Sequence, residues 1–92
     1  MMSREVTIVN SLGLHARAAA RFVRLASEFA ADVKVTRGSR TLNGKSIMGL
    51  LLLGAACGTT MTISADGVDE TDAIDRLSAL VAAGFGEDTC SN

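Results

Sequence analysis

The stretch DVKVTRGSRTLNG, residues 32–44, reads as a β-hairpin, and the rest of the fold is arranged around it. Val33 and Val35 alternate with Lys34 and Thr36, the side-chain period of a strand with one buried face. Arg37-Gly38-Ser39 turns the chain, and Arg40 to Leu42 brings it back. Working outward, each flank carries a helix and then a strand. HARAAARFVRLASEFAA (15–31) places Ala19, Phe22, Val23, Ala26 and Phe29 at helical spacing. KSIMGLLLLGAA (45–56) reads as a short helix with Ser46 as N-cap. REVTIVN (4–10) and GTTMTISADG (58–67) alternate as strands. VDETDAIDRLSALVAAG (68–84) closes the series as an amphipathic helix. Asp69, Glu70 and Asp72 open it, Ile74, Leu77 and Val81 line one face, and Gly84 ends it. The order β-α-β-β-α-β-α predicts a two-layer α+β domain, an antiparallel sheet with its helices on one face and the other face solvated.

A chain of 92 residues has room for one core. The domain is drawn over residues 1–88, with a frayed tail at 89–92 and fraying setting in from Glu87. Apolar residues make up 48% of the chain, enough for a core without metal or disulfide. Proline, tryptophan and tyrosine are absent, so alanine, leucine and valine do most of the packing. A net charge of −1 gives no bulk attraction for nucleic acid. Cys57, in an apolar context, reads as a small buried residue, and Cys90 as an incidental tail thiol; their spacing matches no metal or redox motif. No secretory leader is visible, and the apolar run 47–53 is too short to span a bilayer. The expectation is a soluble, cytoplasmic protein in a reducing compartment.

The one histidine, His15, stands at the mouth of the first helix. Helix starts leave amide N–H groups unpaired and carry partial positive charge, which suits an anion. That end disfavours imidazolium, so a neutral, nucleophilic ring is expected, and a phosphoryl group on it would meet the amides of Ala16 and Arg17. The Arg17 side chain could add a charge-assisted bond. Taken alone, a histidine at a helix start is more often a simple polar cap, but the Gly-Leu pair before this one and the arginine after it shift the reading toward function. With no second histidine and no nearby carboxylate in sequence, metal binding is not expected. Arg17, Arg21 and Arg24 share a helix face, either a solvated stripe or a docking surface for an acidic partner. Ser46 repeats the helix-mouth arrangement, as a plain cap or as a place where an added phosphate would be stabilised. Ile47, Met48 and Leu51 belong to a helix too apolar to bury on every side, unless it is a core helix; if exposed, they suggest a protein-docking patch.

LGLHARAAARFV, NGKSIMGLLLLG and DGVDETDAIDRLSALV, followed by GFGE, together resemble the HPr family of histidine-containing phosphocarriers, over about Glu5 to Glu87. The resemblance implies an open-faced β-sandwich, a four-stranded antiparallel sheet covered by three helices. It implies a carrier rather than an enzyme, without cofactor or metal. His15 would be phosphorylated on Nδ1 by Enzyme I, with phosphoenolpyruvate as the source, and would pass the group to an EIIA component. Arg17 would steady the phosphoryl group. Ser46 matches the regulatory serine modified by HPr kinase/phosphorylase, and Ile47, Met48 and Leu51 match an apolar docking patch. A monomer free of membrane and nucleic acid is expected. One departure is Ala18, where the family usually has proline; alanine is a good helix former, so little should be lost. The runner-up from the element order is a ferredoxin-like small-molecule-binding or protein-interaction module, which has no use for His15.

Overall fold

The computed structural model describes residues 1–88. Its elements are β1 (Met2–Thr7), α1 (Ala16–Ala26), β2 (Asp32–Arg37), β3 (Arg40–Asn43), α2 (Ile47–Leu53), β4 (Thr60–Asp66) and α3 (Glu70–Ala82), followed by a 3₁₀ turn at Gly84–Gly86. The strands form one antiparallel sheet in the order β1-β4-β2-β3. This is the α+β arrangement expected, with all three helices and the turn after them in the βαββαβα order.

Alternation decides which face is buried. Val33 and Val35 of β2 and Met61, Ile63 and Ala65 of β4 point into the core, while Asp32 and Lys34 point out. The inward side chains meet Phe22 of α1, Leu50 and Leu53 of α2, and Ile74, Leu77 and Val81 of α3 in one continuous cluster. Each helix contributes an apolar stripe and leaves its remaining side to solvent.

Several boundaries differ from the sequence reading, for non-local reasons. β1 begins at Met2 because Met2 and Ser3 pair with Ala65 and Ser64. It ends at Thr7, after which Ile8 donates to Thr59 O at 2.9 Å and turns inward. α1 stops five residues short of the expected Ala31. Glu28 and Phe29 close with tighter bonds to Leu25 O and Ala26 O. The amides of Ala30 and Ala31 then leave the helix for the Asp69 carboxylate, at 2.8 and 2.9 Å. A carboxylate from a distant helix start outcompetes continued helix, a tertiary override of good local propensity. At the end of α3, Ala83 is the cap and Gly84 follows with a positive φ.

Cys57 is partly exposed and disulfide-bonded, which corrects its reading as a buried thiol; the expectation for Cys90 lies outside the described residues. The tail expectation is also corrected in part. Glu87 N donates to Gly84 O and Asp88 O accepts from Ser11 N, each at 2.9 Å, so both residues are tied into the fold. The predicted fraying of 89–92 lies outside the described residues. Among the described residues no helix is long and apolar enough to cross a membrane.

Candidate functional site

The loop from Asn10 to Leu14 delivers His15 to the helix mouth. Asn10 is fully buried, and its amide nitrogen donates to Gly13 O at 2.7 Å and to Glu87 Oε1 at 3.0 Å. Gly13 adopts φ +70°, and an added Cβ would lie 2.7 Å from Ala55 O and 2.9 Å from Ala56 Cα. Only glycine fits that backbone and that approach. The next residue is pinned by Leu14 N to Ala55 O at 2.8 Å, with its side chain in the core. The chain therefore enters α1 along one fixed path.

His15 is the N-cap of α1, in extended conformation, and its side chain makes no capping bond. The helical ladder begins with Ala19 N to His15 O at 2.8 Å. The amides of Ala16, Arg17 and Ala18 precede that bond and are left for another acceptor. Ala18 is buried and stands outside the donor side of the ladder, so it keeps an N–H where the family proline would have none.

The ring itself is not simply presented to the helix end. Its Nε2 lies 2.8 Å from both carboxylate oxygens of Glu87, across 72 residues of sequence. A carboxylate only accepts, so Nε2 is the donor, and in the neutral ring Nδ1 is the nitrogen with an open lone pair. The side chains are 28% and 12% exposed, so the pair is partly shielded with one side open to solvent. The bond from His15 holds the Glu87 carboxyl below the usual carboxylate range, aided by Asn10 and by the charge of Arg21.

Sequence reading misses Glu87, placing it in a frayed tail and counting carboxylates as distant. Glu87 is carried by the turn Gly84–Gly86, where Phe85 adopts φ +57° with its ring buried. Arg21 of α1 donates to Phe85 O and clamps that turn. Arg21 is thus engaged within the fold, while Arg24 is exposed at the last turn of α1 and favourable to its dipole. Arg17 is exposed and lines an open groove with Ser11, Leu12, Arg21 and residues 86–88. The groove has little sequence signal, because α1 and the tail meet only in three dimensions.

The second helix mouth follows the expected pattern. Ser46 caps α2, and its hydroxyl accepts from Gly49 N at 3.1 Å. Leu50 and Leu53 are buried, whereas Ile47, Met48 and Leu51 are 43%, 66% and 37% exposed. The expected partial exposure is present, and Leu52, not singled out in the sequence, is exposed as well. The far end of α2 is closed by Gly54 at φ +66° and by Arg37 and Arg40, which donate to Leu53 O and Leu52 O at 2.9 and 2.5 Å. These two cations at a helix C-terminus complement its dipole. Because α1 packs against α2, the apolar surface of α2 lies on the helix beside the one that His15 caps.

A family model described as the PTS HPr component phosphorylation site matches residues 2–83. The phosphocarrier protein HPr of Cupriavidus necator is 49% identical over 87 residues, covering 95% of this chain and 98% of that one. The phosphocarrier protein HPr of Neisseria meningitidis serogroup A is 46% identical with the same coverage. The crystal structure of HPr-C-His from Thermoanaerobacter tengcongensis superposes with a TM-score of 0.92 at 42% identity, covering 96% of this chain and 99% of that one.

Proposed function

The chain belongs to the HPr family of the phosphotransferase system, phosphocarriers rather than catalysts, and on that premise we propose that its phosphoryl group travels on Nδ1 of His15. The family implies Enzyme I as donor and an EIIA component as acceptor. The observation that carries the assignment is the pairing of Nε2 with Glu87, which leaves Nδ1 as the nucleophile at a helix start with unpaired amides. In-line attack by Nδ1 forms the P–N bond as the donor's bond to phosphorus breaks. The amides of Ala16 and Arg17 and the Arg17 guanidinium would steady the bound group. Such an open site holds the group through diffusion without trapping it.

Ile47, Met48 and Leu51 form the apolar centre of the docking surface, with Arg24 and the α1 arginine face, Arg21 included, drawing in an acidic partner. Ser46 is a regulatory phosphorylation site for HPr kinase/phosphorylase: roughly two negative charges would sit beside the docking residues. The protein acts as a cytoplasmic monomer. The test is incubation with Enzyme I and ³²P-labelled phosphoenolpyruvate. Acid-labile, base-stable label on the wild-type chain and none on His15→Ala is the expected result; label retained by His15→Ala contradicts the assignment.

A further inference from the structure

We propose that Glu87, braced by Asn10, is a positioning residue that holds the Nε2 proton through both halves of the carrier cycle and so keeps the phosphoryl group transferable. The inference rests on His15 being the carrier and extends it to a side chain 72 residues away.

The chemistry follows from the proton count. The attacking ring is the neutral one, with no proton on Nδ1, so forming the Nδ1–P bond releases none. The phosphorylated ring that keeps its Nε2 proton is cationic. A cationic ring is a good leaving group: when the P–N bond breaks, the electron pair returns to Nδ1 and the ring becomes neutral again. A ring that has lost the Nε2 proton would have to leave as an anion, and transfer would stall. The Glu87 carboxylate, 2.8 Å away through both oxygens, supplies the countercharge and the acceptor that keep this proton in place. Asn10 makes the arrangement rigid. It is fully buried, and its NH₂ group faces two acceptors, Gly13 O in the histidine loop and Glu87 Oε1 in the tail. One side chain thus fixes both partners of the bond. The other charged groups around the pair are Arg17 and Arg21 from α1 and Asp88 from the tail.

The experiment uses the full-length chain phosphorylated by Enzyme I, with transfer to an EIIA component followed across pH for wild type, Glu87→Gln and Glu87→Asp, each checked for an intact fold by NMR. Glutamine keeps an acceptor oxygen but loses the charge. Transfer from Glu87→Gln is expected to slow by about tenfold at neutral pH, with its decline at alkaline pH beginning earlier than in wild type. Glu87→Asp should recover part of the rate. Asn10→Ser should move the profile in the same direction as Glu87→Gln. A Glu87→Gln chain whose rate and pH profile coincide with wild type overturns the inference alone. A wild-type chain that takes no label from Enzyme I overturns the carrier assignment and the inference together.

Discussion

At the scale of single residues, the site depends on backbone positions that admit one side chain or one orientation. Gly13 combines a positive φ with a backbone neighbour at Cβ distance. Gly13→Ala is expected to destabilise the fold by about 2–3 kcal/mol, because the strained dihedral and the contact with Ala55 O both have to be relieved. Chemical denaturation checks this, and a loss below about 0.5 kcal/mol would contradict it. His15 is legible in the sequence because its surroundings are local: the glycine two residues before it, the helix after it and the arginine at Arg17 all lie close by along the chain. Glu87 and Asn10 are not. Nothing in a tail glutamate or a loop asparagine signals that they meet at the same imidazole, since that contact exists only once α1 and the final turn have packed.

Among the elements, the helix starts hold most of the testable content. Asp69, expected to be part of an acidic first turn, instead accepts from the amides of Ala30 and Ala31 and binds the start of α3 to the segment between α1 and β2. Those amide bonds, the one from Ala30 first, hold its carboxyl below the usual range. A group with a depressed folded-state value stabilises the fold above its ordinary value, about 3.9 for aspartate, and that contribution is lost as pH falls through the lower folded value. Asp69→Asn should therefore be less stable than wild type at neutral pH, with the difference shrinking as pH falls below about 4. Acid titration of the unfolding free energy measures it, and a constant difference would argue against the assignment. Ser46 offers a separate test. Ser46→Asp, which adds charge beside Ile47 and Met48, is expected to accept phosphoryl groups from Enzyme I on the order of tenfold more slowly while leaving α2 folded. Equal rates would remove the basis for regulation at this cap. The existence of all three helices is legible from their apolar period, but the end of α1 is not, because a distant carboxylate decides where it stops.

For the molecule as a whole, antiparallel pairing in the order β1-β4-β2-β3 puts all the helices on one side and leaves the outward strand residues to solvent. Alternation along the strands makes that division readable from the residues themselves, since Val33, Val35, Met61, Ile63 and Ala65 all lie on the inner face. The proposed docking surface lies on the helical side, where α1 carries Arg17, Arg21 and Arg24 and packs against α2. Arg24 is exposed, so changing its charge leaves the core intact. Arg24→Glu is expected to slow phosphoryl acceptance from Enzyme I at low ionic strength, on the order of tenfold, and much less near 1 M salt, where the Debye length is about 3 Å. Stopped-flow rates over a salt series decide it; a deficit independent of salt would point away from electrostatic steering.

The proposed carrier chemistry requires the phosphoryl group on one particular ring nitrogen. The most direct measurement is ³¹P–¹⁵N correlation NMR of the ¹⁵N-labelled chain after phosphorylation by Enzyme I. Coupling of phosphorus to Nδ1 of His15, with the proton still on Nε2 facing Glu87, is the predicted result. Coupling to Nε2, or phosphorus on any other residue, would contradict it.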